Sequence, residues 1–226
     1  MKTKIIIPSR LGSTRFPNKP LAKIDGLEMI VHVCRRASAA YPVFVATPDI
    51  EIADVVRKHG YQVIMTSNQC ETGTDRIAEA ISAIDADIYV NVQGDEPLIL
   101  PDDINRVVLA KKLWYNQVIG SMAILTENNS NIVKVHQQDG KLISMSRCGQ
   151  SKYKQCGLYA FNRGELLAFG AMSKSKKLQS LKNYENIEIM RFIDLGIPVF
   201  MQLIKGSPSV DVPNDINKIL EVISNG

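Results

Sequence analysis

Short apolar runs alternate with amphipathic segments through the first half of the chain. The strands predicted from the apolar runs cover residues 3–8, 43–46, 61–65 and 88–92. The helices predicted from the amphipathic spacing cover residues 28–40, 50–59, 75–84 and 101–113. Such alternation is typical of βαβ units, which pair their strands in parallel and place helices on both faces of the sheet. The pattern therefore predicts an α/β fold with a mostly parallel central sheet.

The second half of the chain changes from this alternation to a series of strands. The strands predicted there cover residues 117–124, 131–137, 141–146, 157–161 and 197–203. The helices predicted there cover residues 163–170, 183–195 and 213–224. Gln138-Asp139-Gly140 indicates a hairpin turn, Gly196 predicts the end of the second helix, and Pro213 is expected in the first turn of the last. Because no linker or repeat divides the chain, we expect a single domain over 1–226 that contains a small β excursion.

The composition gives the size and the net charge of the chain. The 226 residues are 45% hydrophobic and carry a formal net charge of +4, a mild excess that suits a phosphorylated small substrate. The basic residues form no stripe with interleaved aromatic side chains, so nucleic acid is not the expected partner. Apart from the loop 10–19 they cluster at Lys174–Lys177, which is interpreted as a solvated loop.

The cysteine and histidine positions give no support for a disulfide framework or a zinc site. Cys34, Cys70, Cys148 and Cys156 are irregularly spaced, and the three histidines do not cluster. The sequence has no recognisable signal peptide and no apolar run long enough to span a bilayer. We therefore expect reduced thiols, a cytoplasmic location and no membrane partner.

The first strand leads directly into a loop that carries three cations. Arg10, Arg15 and Lys19 lie within the ten residues 10–19 that follow the strand, and Pro17 and Pro20 stiffen the loop between and after them. Three cations at a strand end favour a polyanion as ligand, and a triphosphate is the best candidate. The loop matches neither the P-loop nor the dinucleotide glycine pattern, so side chains must do more of the binding. The alternative is a solvated basic loop.

Two aspartates are candidates for the acidic half of this site. Asp95 follows the strand 88–92, between a glycine that permits a sharp turn and Pro97. A carboxylate beside a polyphosphate needs an intervening cation, and Mg²⁺ takes one or two carboxylates plus phosphate oxygens. Asp211 is the best candidate for a second ligand, although an aspartate in its position also suits a helix N-cap. Asp215 is expected in the first helical turn, where it complements the dipole.

A third motif, Glu71–Arg76, follows the strand 61–65 and opens a helix. Thr72 or Thr74 could cap that helix, and Gly73 permits close approach of the backbone to a ligand. Arg76 could reach a base or an anion from the first turn. Its alternative is an exposed helix residue beside Asp75.

Taken together, these motifs resemble those of one family. The matching segments are Pro8–Pro20, Gly73–Arg76, Asn91–Pro97, Ser146-Arg147, Gly157–Tyr159 and Val210-Asp211. In this order they resemble the CTP-dependent cytidylyltransferases that activate 3-deoxy-manno-octulosonate (Kdo), the CMP-Kdo synthetases. The resemblance implies a Rossmann-like nucleotidyltransferase fold, a homodimer, Mg²⁺ as cofactor, and CTP and a small acidic acceptor as substrates. It also implies a place in lipopolysaccharide or capsule biosynthesis.

The resemblance further implies a role for individual residues. The implied nucleotide-binding residues are Pro8, Arg10, Leu11, Gly12, Ser13, Lys19, Ala46, Thr47, Gly73, Thr74, Arg76, Gln93 and Asp95. The implied acceptor-binding residues are Arg15, Gln93, Arg147, Gln155, Tyr159, Glu185 and Glu188. The implied catalytic residues are Arg10, Arg15, Lys19, Asp95 and Asp211, of which the two aspartates bind Mg²⁺.

The departures from the family pattern lie on the acceptor side. The segment Cys148–Lys152 is short and lacks a proline, no histidine precedes Gly157, and Ile189 stands where the family has glutamine. A site that loses such hydrogen-bonding groups changes its specificity. The resemblance implies Kdo or a Kdo-like 2-keto-3-deoxy acid as acceptor, and from these departures we expect a rewritten acceptor site that takes a Kdo-like acid or a different molecule. The alternatives are a nucleotidyltransferase for a phosphorylated or phosphonate acceptor, and a non-catalytic nucleotide-binding relative.

Overall fold

The computed structural model describes residues 1–13, 15–127 and 132–224. The strands are β1 Thr3–Pro8, β2 Lys23–Ile24, β3 Leu27–Glu28, β4 Val43–Thr47, β5 Gln62–Met65, β6 Ile88–Val92, β7 Val118–Ile124, β8 Lys134–Gln138, β9 Lys141–Ser146, β10 Tyr153–Phe161 and β11 Val199–Leu203. The α-helices are α1 Met29–Ser38, α2 Ile50–Lys58, α3 Gly73–Ala80, α4 Pro101–Leu113, α5 Arg163–Ala171, α6 Lys174–Asn183, α7 Arg191–Asp194 and α8 Asp215–Ser224.

One mixed sheet runs through the described residues, with its nine strands in the order β5-β4-β1-β6-β10-β7-β11-β9-β8. The first four strands in this order, β5, β4, β1 and β6, are parallel to one another, so their carboxyl ends meet at one edge of the sheet. Strand β10 lies antiparallel between β6 and β7, and β11 is parallel to β7. The hairpin β8–β9 forms the far edge, which is the predicted β excursion. Loops that follow β1, β5 and β6 are thereby brought to one crevice.

The alternating side chains of β1 show why helices cover both faces of the sheet. Ile5 and Ile7 are buried in one hydrophobic cluster with residues of α1, α2 and α4. Ile6 is buried in a second cluster with residues of α3, α5 and α7. Both faces of the strand are therefore apolar, as expected for a sheet between two helical layers. The predicted α/β class and the placement of helices on both faces are confirmed.

The prediction of one helix over 183–195 was wrong. The helix α6 ends at Asn183, and Glu185 and Asn186 then take positive φ angles of 52° and 64°. Two successive left-handed residues break a helix, and the chain resumes with a short 3₁₀ turn before α7. The interpretation of Lys174–Lys177 as a solvated loop was also wrong, since these lysines form the first turn of α6.

Several other boundaries moved, each for a local reason. The helix predicted from residue 75 begins at Gly73 because Thr72 caps it. The strand predicted from residue 157 begins at Tyr153, because its polar first half pairs with β7 and β8. The last helix begins at Asp215, which leaves Pro213 before the helix instead of in its first turn. The predicted strand 131–137 is β8, and its first predicted residue, Asn131, lies outside the described residues.

The turn predictions at glycines are confirmed. Asp139 and Gly140 take φ angles of 51° and 82° between β8 and β9, which is the conformation of a tight hairpin turn. Gly196 takes a φ angle of 68° just after α7. In the part of the chain that is described, no helix has the length and apolar character needed to cross a membrane, and the four cysteine thiols are free.

Candidate functional site

A cleft of about 360 Å³ opens where the loops after β1, β5 and β6 meet. The predicted site residues that line it are Pro8, Arg10, Gly12, Ser13, Arg15, Lys19, Gly73, Arg76, Gln93 and Asp95. Ser9, Pro20, Thr72 and Gly94 complete the lining. The structure therefore brings the cationic loop, the third motif and the loop after β6 into one site, as the crevice rule for open α/β sheets requires.

The loop cations contact the two predicted metal ligands directly. The Lys19 Nζ lies 2.6 Å from Asp95 Oδ2 and donates to the Val210 carbonyl at 2.9 Å. The Arg15 Nη2 lies 2.9 Å from Asp211 Oδ1. The Val210 N–H in turn donates to the Asp95 carbonyl at 2.9 Å. This backbone bond holds the segment before Asp211 against the turn that carries Asp95, so Asp211 lies beside the cleft that Asp95 and Arg15 line.

The side chain of Asp211 does not cap a helix, which was the alternative interpretation of this residue. Its carboxylate pairs with Arg15, while the carboxylate of Asp215 accepts from the N–H groups of Asp211 and Val212 at 2.9 and 3.0 Å. Asp215 is the first residue of α8, as predicted for the first helical turn. Asp211 is therefore left to face the cationic loop instead of serving the helix.

The start of α3 forms another wall of the cleft. Thr72 caps the helix by accepting from the Asp75 N–H at 3.1 Å, and the Asp75 carboxylate accepts from the Thr72 N–H at 3.2 Å. A Cβ atom on Gly73 would lie 3.2 Å from the ring of Pro8, so the helix start packs closely on the first loop. The N-terminal N–H groups of α3 are thus held beside the loop that carries the cations.

Arg76 is not the exposed helix residue of the alternative interpretation. It is only 3% exposed, and its Nη1 donates to Thr66 Oγ1 at 2.6 Å and to the Ser67 carbonyl at 3.1 Å. Burial lowers the pKa of its guanidinium from the ordinary value, with the charge of nearby Arg10 acting in the same direction. Arg76 therefore adds a fixed positive charge to the cleft wall.

On the acceptor side, Glu188 connects the two halves of the chain. Its carboxylate accepts from the Thr74 N–H at 3.2 Å, from the Thr74 hydroxyl at 3.1 Å and from Gln93 Nε2 at 3.4 Å. Burial raises the pKa of Glu188 above the ordinary value, and the bonds from Thr74 oppose that shift. Glu188 thus holds Gln93, which lines the cleft, against the start of α3.

The other implied acceptor residues lie outside the lining of the cleft. The Gln155 amide donates to the Tyr159 hydroxyl within β10, and burial raises the pKa of Tyr159 well above the ordinary value. The Arg147 N–H donates to Glu185 Oε2 at 3.0 Å. Gln155 thus pairs with Tyr159, and Arg147 pairs with Glu185. The role of these four residues in binding an acceptor stays a prediction.

Three implied nucleotide residues lie behind the cleft. Ala46 and Thr47 are fully buried at the end of β4, and the Ala46 carbonyl accepts from the Ser9 N–H at 2.9 Å. The Leu11 N–H donates to Asp49 Oδ2 at 2.8 Å. These contacts support the cationic loop from beneath, and a direct contact between these residues and a base stays a prediction.

Glu96 is a buried carboxyl residue that the sequence analysis did not single out. Its Oε1 accepts from the Gly157 N–H at 2.9 Å and its Oε2 from the Ser207 hydroxyl at 3.2 Å. A Cβ atom on Gly157 would lie 2.6 Å from Glu96 Oε1, so glycine is required there. Burial, together with the charge of Asp95, raises the pKa of Glu96 to about 7. Its position directly after Asp95 was the only signal, because its partners are distant in the sequence.

The two aspartates fit a hard divalent cation. No cluster of three or more His, Cys, Asp or Glu side chains that could hold a metal occurs within residues 1–13, 15–127 and 132–224. Two carboxylates beside a cleft lined by cationic side chains are nevertheless a donor set that suits Mg²⁺ when phosphate oxygens and waters supply its remaining ligands. Asp95 and Asp211 are the residues that would hold it.

Comparison with known proteins agrees with this geometry. The profile of the cytidylyltransferase family matches residues 4–194. The chain is 36% identical to the 3-deoxy-manno-octulosonate cytidylyltransferase of Geobacter metallireducens, covering 99% of this chain and 98% of that protein. It is 38% identical to the enzyme of the same name from Rhodopseudomonas palustris, again covering 99% and 98%.

A solved structure has the same architecture. The CMP:2-keto-3-deoxy-manno-octonic acid synthetase complexed with CTP superposes with a TM-score of 0.87 at 30% identity, over 100% of this chain and 99% of that one. That similarity extends over the whole sheet, including the strands β7–β11 that depart from simple βαβ alternation.

Proposed function

We propose that this chain, which belongs to the cytidylyltransferase family, transfers CMP from CTP to 3-deoxy-manno-octulosonate and releases pyrophosphate. The observation that carries the proposal is the meeting of Lys19 with Asp95 and of Arg15 with Asp211 in one cleft. A cationic loop that faces paired carboxylates is the arrangement that a metal-bound triphosphate requires. The names of the relatives and of the CTP-bound structure supply the nucleotide and the acceptor.

The proposed reaction is an in-line substitution at the α-phosphorus of CTP. The anomeric hydroxyl oxygen of the sugar acid forms a bond to that phosphorus, the bond to the bridging oxygen of the β-phosphate breaks, and pyrophosphate leaves with the bonding electrons. The hydroxyl group loses its proton to solvent during the reaction. Mg²⁺, when bound, neutralises phosphate charge and favours ionisation of the hydroxyl. Transfer to the anomeric hydroxyl itself gives a CMP ester without a second phosphate.

In this proposal the chain positions groups and neutralises charge. Arg10, Arg15 and Lys19 bind the triphosphate and stabilise the negative charge that develops on the leaving pyrophosphate. Gln93 lines the cleft and orients the acceptor, and Glu188 holds Gln93 by accepting from its amide. The backbone of α3 and the buried charge of Arg76 close the nucleotide end of the site. Most of the rate enhancement is then proximity and electrostatic preorganisation.

The acceptor pocket keeps one part of the family pattern and loses another. Glu188 retains its place at the cleft wall, whereas Ile189 is 1% exposed and packs in the hydrophobic core. The hydrogen-bonding groups that glutamine carries in the family are therefore absent from that position. The 253-position alignment with the Mesorhizobium japonicum relative is longer than this 226-residue chain, so that relative carries residues this chain lacks. These differences make the acceptor the part of the proposal to test first.

The test is pyrophosphate release from CTP in the presence of Mg²⁺, with Kdo, related 2-keto-3-deoxy acids, sugar phosphates and phosphonates offered separately. We expect release with Kdo and a product with the mass of CMP-Kdo. Release only with a phosphorylated or phosphonate acceptor would mean that this acceptor, and not Kdo, is the substrate. The product would then contain the acceptor's own phosphorus group in addition to the phosphate of CMP. Binding of CTP without release for any acceptor would support a non-catalytic protein.

We further propose that the chain acts as a single domain and a homodimer whose product serves lipopolysaccharide assembly. The second half carries exposed apolar side chains on adjacent strands, including Ile124 on β7, Ile143 on β9 and Leu203 on β11. Such side chains suit a subunit interface. Light scattering coupled to size exclusion should give twice the chain mass, and Ile143→Lys should shift the protein toward the monomer.

A further inference from the structure

The cations that would bind the triphosphate already occupy the carboxylates that would bind the metal. Lys19 and Arg15 line the cleft, and each is paired with one of the two proposed Mg²⁺ ligands. An ammonium or guanidinium group that neutralises a carboxylate leaves less positive charge for a phosphate, so the two assignments compete for the same side chains.

The Lys19 pair is the tighter of the two. The side chain of Lys19 is 15% exposed and that of Asp95 is 29% exposed, whereas the values for Arg15 and Asp211 are 58% and 41%. Lys19 also donates to the Val210 carbonyl, so it is held by the segments that lead to both aspartates. Charge pairs withdrawn from solvent are screened less, and Lys19 is therefore the stronger competitor for the metal site.

A divalent cation at Asp95 would meet this ammonium group. Mg²⁺ binds carboxylate oxygens at about 2.1 Å, and Asp95 Oδ2 already lies 2.6 Å from the Lys19 nitrogen. Binding of the metal without nucleotide would place two positive groups on one carboxylate. A triphosphate in the cleft removes the conflict, because it offers Lys19 and Arg15 other anionic partners and adds oxygen ligands for the metal.

We propose that Lys19, assisted by Arg15, blocks the metal site of the nucleotide-free protein and opens it by moving to the triphosphate. This inference rests on the proposed function, because it takes the triphosphate and the divalent cation as the ligands of the cleft. Its consequence is that the metal binds well only together with the nucleotide. Lys19 then has two roles: it strengthens binding of the triphosphate, and it weakens binding of the metal until CTP is bound.

The test is a titration of the nucleotide-free protein with Mn²⁺, followed by electron paramagnetic resonance, with Mn²⁺ as the probe for the Mg²⁺ site. Lys19→Met should bind Mn²⁺ about tenfold more tightly than the wild type, and Arg15→Met about twofold to threefold more tightly. Lys112→Met is the matched control, because Lys112 is exposed on α4 and the change removes the same charge. The control should leave the affinity unchanged.

A second variant shows where the added affinity resides. In Lys19→Met combined with Asp95→Asn, the gain should disappear, and the unfolding temperature of each variant reports whether the fold is intact. Unchanged or weaker Mn²⁺ binding by Lys19→Met would overturn the inference, as would a gain that survives Asp95→Asn. Failure of the proposed function has a different signature: the wild type would release no pyrophosphate from CTP with any acceptor, whatever the Mn²⁺ titrations give.

Discussion

The proposed nucleotide side and the proposed acceptor side of the cleft are built in different ways. On the nucleotide side, the groups come from short segments directly after parallel strands, such as the loop after β1 and the turn at Asp95. On the acceptor side, contacts join residues far apart in the sequence, such as Glu188 with Thr74 and Glu185 with Arg147. The sheet fixes the geometry of a site whose residues follow strand ends. In a site made of long-range pairs, a single substitution can change one contact and leave the others in place.

Two buried carboxylates connect these two regions and fix their relative position. Glu96 ties the turn at Asp95 to β10 through Gly157 and to the segment before Asp211 through Ser207. Asp75, in the first turn of α3, pairs with Lys177 of α6 and Arg191 of α7, each at 2.8 Å. Acceptor-side helices thus hold the helix start that lines the nucleotide site.

The largest effect should come from the metal carboxylate on the nucleotide side. Asp95→Asn keeps the shape of the side chain but removes the charge that a divalent cation needs. We expect pyrophosphate release to fall by at least about a thousandfold, which is about 4 kcal/mol of transition-state stabilisation. Thermal unfolding should change little, since a partly exposed ion pair contributes about 1 kcal/mol or less. Steady-state rates and a melting curve together test the assignment.

Asp25→Asn provides the matched control for this change. Asp25 is exposed and takes a φ angle of 48°, a conformation that asparagine tolerates well. Its activity should equal that of the wild type. A residual activity of Asp95→Asn above one tenth of the wild type would contradict the metal assignment and remove the main difference drawn between the two sides.

The buried ion pair at Asp75 should give the next largest effect. Arg191 is 1% exposed, donates to Asp75 Oδ1 and stacks its guanidinium 4.0 Å from the Phe169 ring centroid. Arg191→Met leaves Asp75 with Lys177 alone, and the free energy of unfolding should fall by about 3 kcal/mol. Lys177→Met, which removes the more exposed partner, should cost about 1 kcal/mol. Chemical denaturation measures both, and equal losses would contradict the dominant role of Arg191.

The same contrast explains how much could be predicted from the sequence. The parallel half and the cleft residues Arg10, Lys19 and Asp95 followed from apolar runs and the polar groups just after them, because strand ends converge by topology. The break at Glu185 and Asn186 did not follow, since two left-handed non-glycine residues leave no pattern. The partners of Glu96 were equally hidden, because long-range hydrogen bonds have no local spacing.

The buried residue Glu96 predicts that the stability of the fold depends on pH. Its pKa is about 7 in the folded protein against an ordinary value of 4.5. Between these values the native state holds a proton that the unfolded state has released, so the free energy of unfolding falls as pH rises from 4.5 to 7. Relative to Glu96→Gln in metal-free buffer, the wild type should lose at most about 3 kcal/mol across this range. A difference independent of pH would contradict burial as the cause.

The smallest effect should come from Glu188, and it separates the two sides most directly. Its carboxylate accepts from Gln93, which lines the cleft, and from the backbone and hydroxyl of Thr74. Glu188→Gln keeps one acceptor oxygen for the Thr74 groups, so the fold should persist, but it removes the charge that orders the acceptor wall. We expect the KM for the acceptor to rise about tenfold while the Kd for CTP stays within about twofold, because the charge of Glu188 is proposed to order groups that bind the acceptor. Glu221→Gln, an exposed change on α8, controls for the lost charge. Equal losses of acceptor and CTP affinity would mean that Glu188 acts through α3 on the nucleotide, and the two sides would then be one coupled site.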